Sequence, residues 1–545
     1  MSALRVVYHL SRADFLERIR RPGFLVLLAL TLYLTYLFVP PAESDYLTIA
    51  LDASRGIYNS PWVGTMFGIA ISVLVSLFAF YLVKNAVDRD RRTNVGQILA
   101  AAPIRKFHYT FAKWFSNLAL LAALVAIVML MALVMQLLRA EAPEIRLWAL
   151  AAPIWLMGLP VMGVVAGVAV LFETIPFLSR GFGNVVYFFL WTFFLSYSIV
   201  SSFTGGSTLV DPRNDLFGLT RPVAAMQAQY AGIDPDYSGD FSIGRSGVEG
   251  PVTFFTWEGV SWGPRVALQR LLWLALGAVL ALLATLPFDR FDPARAAVAG
   301  RAGPGRMARL GQRLSRVGAS LAVFAGRLIG FPLRPVTRGA RHSPLGVTFL
   351  AEVKMALRGH PGWWYALLVL FFFLGLFSSL ESALRNILPF AWLAPVLVWS
   401  GLGVREARHA TQGLVFSAPY PLRRQLPAAW LAGVTVALVS AGGFGLHLLF
   451  TGEWAHLLAF LVAAGFIPAL ALALGIWTGT SRTFELVYLL WWYLIVNGAW
   501  QLDFMGTTAQ ALAAGRPLIF LAAGILLFIL AALGRYRQLN RYSQT

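Results

Sequence analysis

Long apolar runs separated by polar segments dominate the sequence and restrict what it can fold into. Twelve such runs occur between residues 24 and 533, and most are close to the ~20 residues that a helix needs to cross a membrane. With 58% hydrophobic and 13% charged residues, the composition excludes an ordinary soluble protein. The sequence predicts an all-α polytopic membrane protein with about twelve transmembrane helices.

The predicted spans form two parallel sets of six. The first set comprises residues 24–39, 63–83, 117–138, 147–172, 184–203 and 265–288. The second set comprises residues 363–380, 386–403, 427–450, 454–477, 485–500 and 517–533. We therefore predict a first half at 1–290 that begins with an amphipathic helix, a basic cytoplasmic connection at 291–344, and a second half at 345–545.

The distribution of charge predicts the orientation of these spans. Segments 1–23, 84–116, 289–362, 404–424 and 535–545 are all net basic, whereas the 204–264 loop is acidic. Lys and Arg accumulate on the cytoplasmic side, so both termini are expected there. The net charge of +19 is then an orientation signal, and no nucleic-acid partner is predicted. Arg265 and Arg270 are exceptions and are expected to snorkel outward.

Two of the basic segments share a pattern. In the first, residues 93–102 have apolar side chains at helical spacing and end at Pro103. Arg89-Asp90 matches Arg405-Glu406, and Ala101-Ala102-Pro103 matches Ser417-Ala418-Pro419. Arg105-Lys106 has a counterpart in Arg423-Arg424, one or two residues out of step. A short helix held between two spans is typical of a docking element for a soluble partner; an ordinary basic loop is the alternative.

This pattern resembles the ABC-2 type permease family, the membrane subunits of ABC exporters. Members carry a charged segment, a Gly, a short helix and a Pro turn between spans two and three, where a coupling helix meets the ATPase. The second copy departs from the pattern because no Lys follows its Pro as Lys113 does in the first. The resemblance implies coupling roles for Asp88, Arg89, Asp90, Gly96, Ile98, Leu99 and Pro103, and for Arg405, Glu406, Leu414, Phe416 and Pro419. Val95 and Val415 complete the expected apolar anchors.

The sequence contains no constellation that would make this chain an enzyme. It has no GxxxxGK[ST] phosphate loop, no HExxH or GxSxG motif, and no Cys. The resemblance implies that ATP and Mg²⁺ bind to separate ATPase subunits, two per chain, and that this chain binds no cofactor. It further implies a multi-pass protein of the bacterial cytoplasmic (inner) membrane, in contact with lipids. A secondary transporter and a membrane-embedded lipid-modifying enzyme or scaffold are the alternatives.

In the resembled family, spans two and five of each half line the central passage. The corresponding passage residues are Phe78, Tyr81, Ser196, Tyr197, Trp399 and Asn497. These mostly apolar and aromatic residues favour an amphipathic or hydrophobic substrate. The alternative is that the Ser and Thr side chains bond back to their own helix or to neighbouring groups. Glu173 and Glu485 are expected to pair with Arg180 and Arg482.

Two further segments carry predictions. The 204–264 loop is interpreted as a gate or docking lid, or as a solvated acidic face. Residues 307–328 have apolar side chains at alternating spacings of three and four, with arginines off that stripe. This pattern predicts a basic helix on the inner leaflet, with a coiled-coil contact as the alternative.

Overall fold

The fold is taken from a computed structural model that describes residues 3–20, 22–41, 44, 46–52, 54–139, 141–179, 181–203, 215–247, 252–289, 291, 343–358, 360 and 362–542. The chain divides into two compact units, Met1–Gly300 and Arg301–Thr545, and each is described by itself. Nearly all of the predicted connection, including the helix predicted at 307–328, lies outside the described residues.

Helices make up most of the first unit. They are α1 (Ala3–Ile19), α2 (Pro22–Phe38), α3 (Ser60–Ile69), α4 (Ser76–Val83), α5 (Ala86–Arg92), α6 (Val95–Ala101), α7 (Lys106–Arg139), α8 (Leu147–Thr174), α9 (Gly181–Phe203), α10 (Thr220–Ala231) and α11 (Pro264–Leu283). A π-helical segment, Ala70–Val75, joins α3 to α4.

All the regular elements in the described residues of the second unit are helices. Its helices are α12 (Pro344–Leu357), α13 (Gly362–Phe377), α14 (Leu380–Ser382), α15 (Leu388–Leu393), α16 (Val396–Trp399), α17 (Arg405–Arg408), α18 (Gln412–Phe416), α19 (Pro421–Thr451), α20 (Trp454–Thr478), α21 (Ser481–Val496), α22 (Ala509–Ala513) and α23 (Arg516–Tyr542). A π-helical turn, Ala383–Ile387, and a 3₁₀ turn, Trp500–Leu502, complete it.

The structure supports a polytopic membrane protein. Nine helical segments of the described chain are long and apolar enough to cross a membrane. They are Ser60–Arg91, Lys106–Arg139, Leu147–Thr174, Gly181–Ser202, Pro264–Leu283, Leu380–Trp399, Pro421–Thr451, Trp454–Thr478 and Arg516–Asn540. The other three predicted spans correspond to α2, α13 and α21, which have 17, 16 and 16 residues. Twelve spans and the paired six-helix layout therefore stay predictions.

The first unit also contains a small sheet that the all-α prediction missed. Its strands are β1 (Tyr46–Leu51), β2 (Ser54–Gly56), β3 (Phe241–Gly247) and β4 (Thr253–Phe255), in the order β3-β1-β2-β4. β1 is antiparallel to β2 and β3, and β2 is parallel to β4. The 204–264 loop thus folds back on the segment between α2 and α3.

Close packing of α8 against α11 depends on glycine. A Cβ on Gly167 would lie 2.3 Å from the carbonyl oxygen of Gly277, and one on Gly277 would lie 2.1 Å from that of Gly163. Gly163-x-x-x-Gly167 is the small-residue spacing that lets membrane helices approach backbone to backbone.

Arg270 on α11 is buried, so the prediction that it snorkels is wrong; Arg265 is exposed. Pro160 has no N–H, which frees the carbonyl of Leu156, four residues earlier in α8. The Nε of Arg270 donates to that carbonyl at 2.8 Å, and its Nη atoms donate to the carbonyls of Asp215 at 2.6 Å and Leu216 at 2.7 Å. One guanidinium thereby joins the membrane helices to the start of the folded loop.

A D-x-x-G-x-T turn occurs once in each unit. Asp215 accepts hydrogen bonds from the amides of Gly218 and Thr220 and from the Thr220 hydroxyl, at 2.7–2.9 Å. Asp503 accepts the equivalent bonds from Gly506 and Thr508, at 2.9–3.0 Å. Both glycines have positive φ, 79° and 68°, the conformation in which a side chain is strained. A short helix follows each turn.

Candidate functional site

The first candidate coupling loop lies between α4 and α7. It consists of α5, a left-handed residue, Asn94 (φ 59°), and α6. Asn tolerates this conformation better than most residues, so the chain can turn sharply between the two short helices. Ala102 is extended before Pro103 and ends α6. The helix predicted at 93–102 is confirmed as Val95–Ala101.

The second candidate coupling loop, between α16 and α19, repeats this geometry. From Arg405 to Pro419 it aligns with the first loop without a gap, and Ala410 (φ 52°) falls opposite Asn94. α17 and α18 then correspond to α5 and α6. In this register Leu414 matches Ile98. Leu414 is 80% exposed and Ile98 is 71% exposed, so each loop presents a strongly exposed apolar residue in the middle of its second short helix.

A buried ionic network holds the first loop. Asp14 on α1 accepts from Lys113 at 2.9 Å and pairs with Arg18 at 2.8 Å, and it also contacts Arg89. Lys113 binds Asp90 at 2.8 Å. Burial alone would raise the pKa of Asp14, but Arg18, Lys113 and Arg89 outweigh it and lower that pKa below its ordinary value. The carboxylate therefore stays ionised and links α1, α5 and α7.

A second carboxylate, Glu173 at the end of α8, caps α5. Glu173 is fully enclosed and accepts hydrogen bonds from the backbone N–H groups of residues 85–88. The first N–H groups of a helix have no hydrogen-bond partner within the helix. A carboxylate at this end also interacts favourably with the positive end of the helix dipole. Arg180, its predicted partner, lies outside the described residues. Glu485 is buried in the second unit.

The second loop has its own ionic contacts, from different elements. Glu352 on α12 pairs with Arg405 at 3.1 Å, as Asp14 on α1 pairs with Arg89. Burial raises the pKa of Glu352, an effect that Arg405 offsets in part. Glu406 contacts Gln425, which follows Pro419 by the same interval as Tyr109 follows Pro103. Tyr109 correspondingly donates to Asp90 at 2.7 Å.

The cation that pairs with Glu406 comes from α23. Arg535 lies 3.2 Å from Glu406, and its guanidinium lies 5.1 Å from the centre of the Phe416 ring. The missing Lys of the second loop is thus replaced from another part of the sequence. Sequence reasoning selected neither Arg535 nor the acids Asp14 and Glu352. One signal was present in the sequence: the helix that begins each half, α1 or α12, carries an acid, Asp14 or Glu352.

A cleft of about 310 Å³ opens beside the first loop. The charged network forms its polar part, and apolar side chains line the rest: Leu10, Ala13, Val95, Leu99 and Ala112. The cleft lies between α1, α6 and α7. A partner that contacts Ile98 would therefore meet an apolar recess beside it.

The remaining predicted coupling residues divide into exposed and supporting positions. Val95, Pro103 and Pro419 are exposed; Asp88, Leu99, Val415 and Phe416 are half-buried. Leu99 packs against Val87, Tyr109 and Phe288, so it supports α6 more than it presents a surface. Gly96 is buried, and a Cβ there would lie 2.7 Å from the ring of Phe291.

The predicted passage residues occupy unlike environments. In the first unit Phe78 and Tyr81 are buried, and the Tyr81 hydroxyl donates to the carbonyl of Asn184 at 3.2 Å. Ser196 is exposed on α9 and Tyr197 is half-buried.

In the second unit Trp399 is fully buried, and its indole donates to the carbonyl of Gly433 at 3.0 Å. Asn497 is exposed and its amide donates to the carbonyl of Tyr493, one turn back on α21, at 2.8 Å. Trp399 therefore bonds to a different helix, α19, and Asn497 bonds to the end of its own helix, α21, so both N–H donors have a partner within the protein.

Comparison with family models, curated proteins and solved structures finds no match to this chain. Within the described residues, no group of three or more His, Cys, Asp or Glu side chains is placed to hold a metal ion.

Proposed function

We propose that this chain is the permease subunit of an ABC exporter of the bacterial inner membrane, with two fused six-span halves and cytoplasmic termini. One observation carries the proposal. A protruding apolar residue, Ile98 or Leu414, is presented twice on the same short-helix geometry, and each loop is fixed by buried ion pairs. Apolar anchors ringed by charge are what a helix-in-groove contact with a soluble subunit requires.

The ion pairs suit these loops to transmit force. A loop that bends freely would absorb the push of an ATPase. Here Asp14 and Lys113 link the first loop to α1 and α7, and Glu173 links it to α8. Displacement of α5, the short helix directly before α6, would therefore move membrane-spanning helices with it. ATP and Mg²⁺ would be bound by the ATPases, one docked at each loop.

Buried charges near the membrane helices have fixed partners, which favours this proposal over a secondary transporter. Arg270 donates to backbone carbonyls and Glu173 accepts from backbone N–H groups. Lys84 donates to Asn184 at 2.6 Å and to the carbonyl of Leu178 at 3.1 Å. A coupling-ion site needs groups that exchange partners during transport.

The aromatic side chains of the passage residues favour an amphipathic or hydrophobic substrate.

The proposal can be tested by placing a charge at both exposed apolar positions, 98 and 414. Ile98→Asp together with Leu414→Asp puts carboxylates into the proposed apolar contacts, and the protein should still insert because both side chains are exposed. Ile233→Asp is a matched control, since Ile233 is 55% exposed in the turn just after α10 in the 204–264 loop. We expect the ATP hydrolysis that co-purifies with the chain to fall about tenfold or more in the double variant, as for loss of interface hot spots. Retention of the parent's activity would contradict the proposal.

A further inference from the structure

We propose that the C-terminal helix α23 is the transmission element of the second coupling loop, with Arg535 as its positioning residue. The two loops would then drive different helices: the first moves α7, and the second moves α23. This inference rests on the proposed function and adds an asymmetry to it.

The contacts of Arg535 bridge α23 to the loop. Arg535 is buried, and its Nη2 lies 3.2 Å from the Oε1 of Glu406 on α17. Its guanidinium also faces the ring of Phe416 on α18, the second residue after the exposed Leu414. A single side chain of α23 thus contacts both short helices of the loop.

Two further bonds fix Arg535 on its own helix. Its Nη1 donates to the Oε1 of Gln538, one turn further along α23, at 3.1 Å. The Nε2 of Gln538 donates to the carbonyl of Ile476 on α20 at 2.9 Å. The guanidinium is therefore fixed by Gln538 of α23, which is itself bonded to α20. A side chain fixed in this way can transmit a displacement of the loop to α23.

The first loop uses a different helix for the same task. Lys113, on α7, binds both Asp90 and Asp14. In the gap-free register of the two loops, the position of Lys113 is taken by Ala429, on α19, which has no charge to offer. Arg423 and Arg424 lie in the first turn of α19, but the position equivalent to Lys113 has no cation. The cation that pairs with Glu406 is instead Arg535, about a hundred residues further along the chain.

The polar atoms around Glu406 in the second loop also have fewer hydrogen-bond partners than those around Asp90 in the first loop. Both oxygens of Asp90 are bonded, to Arg89, Tyr109 and Lys113. Among the described side chains, the Oε2 of Glu406, the Oε1 of Gln425 and the Nε of Arg535 have no hydrogen-bond partner. Since these atoms can take new partners, the contact of α23 with the loop can rearrange as the loop moves.

Spin labels can distinguish the contact of Lys113 with the first loop from that of Arg535 with the second. The chain contains no Cys, so a single introduced Cys would carry the only label. Single Cys residues at position 98 or 414 would carry a nitroxide, in the full chain reconstituted into lipid nanodiscs without ATPase. Arg535→Gln should increase label mobility at 414 and leave 98 unchanged. Lys113→Gln is the matched variant and should increase mobility at 98 and leave 414 unchanged. Equal effects at both positions, or no effect of Arg535→Gln at 414, would overturn the inference.

A charge exchange distinguishes positioning from general stability. Glu406→Arg with Arg535→Glu should restore low mobility at 414, whereas either single change should not. Arg535→Lys, a milder change, keeps the assay usable if Arg535→Gln fails to fold, and should give an intermediate mobility.

The role of Arg535 in coupling is measured separately, as the ATP hydrolysis rate of the complex of this chain with the ATPase that co-purifies from cells. Arg535→Gln should retain bound ATPase and lower its hydrolysis rate about twofold, since one of two sites is uncoupled, and the charge exchange should restore the rate. If the label results hold but no ATPase co-purifies with the parent chain, the proposed function fails and the linkage stands. If ATPase binds and Arg535→Gln leaves both mobility and rate unchanged, the inference alone fails.

Discussion

At the residue scale, Asp14 is the acid on which the first loop depends. It lies among Arg18, Arg89 and Lys113, and its own exposure is 5%. Removing one partner of a buried ionic cluster leaves uncompensated charge, which costs about 3–5 kcal/mol. Asp14→Asn should therefore lower the thermal unfolding temperature of the purified protein. Glu17→Gln, at the neighbouring half-exposed acid that contacts Arg89, should change stability by about 0–1 kcal/mol.

The same network predicts a pH dependence. Because the pKa of Asp14 is lowered from 3.8, its contribution to stability is fully present above about that pH. The contribution is lost as the pH falls through the lowered pKa of the folded state. Parent and Asp14→Asn should consequently differ in unfolding temperature at neutral pH and converge in strong acid. A constant difference at every pH would show that the network does not stabilise the fold through the charge of Asp14.

The sequence identified Arg89-Asp90 and Arg405-Glu406 because each pair repeats at a fixed place in a recognisable pattern. It did not identify Asp14, Glu352 or Arg535, because the loop residues with which they pair are distant along the chain and no spacing rule connects them. Arg270 was misjudged for a similar reason. A charged residue near a helix end ordinarily reaches water, and only the folded loop supplies the carbonyls of Asp215 and Leu216 that hold it inside.

At the element scale, hydrophobic periodicity and proline located α6, whereas α10 in the 204–264 loop was not predicted. The sheet was missed because its strands are short and pair across long sequence separations, as β1 does with β3. Such pairing depends on folding of the 204–264 loop, which the acidic composition of that loop does not reveal. The D-x-x-G-x-T pattern can be read in the sequence of both units. The structure shows that the two turns are equivalent, because each aspartate accepts from the backbone N–H of the Thr five residues further on.

Arg270 gives the element-scale prediction. Arg270→Met removes the donors that satisfy the carbonyls of Leu156, Asp215 and Leu216, and each buried unsatisfied polar group costs about 1–3 kcal/mol. The loop should detach from α8 and α11, so proteolysis within residues 215–247 should become faster. Arg265→Met, at an exposed position on the same helix, is the control and should behave like the parent. Equal protection in both variants would show that this guanidinium does not anchor the loop.

At the scale of the whole molecule, the apolar runs predicted a polytopic membrane protein, and the nine span-length helices of the described residues agree with that prediction. Each of the two units has a loop with two short helices and a strongly exposed apolar residue, Ile98 or Leu414, on the second of them. This repetition is the reason for proposing two ATPases per chain. It also makes the number of bound ATPases a direct readout of the proposal.

That number can be measured by native mass spectrometry of the complex purified from its own membranes. We predict one permease chain with two copies of an ATPase subunit. Ile98→Asp alone and Leu414→Asp alone should each leave one copy, and the double variant none, while Ile233→Asp should keep two. A parent chain without any ATPase, or a double variant that still carries two, would contradict the claim that these loops are the coupling elements.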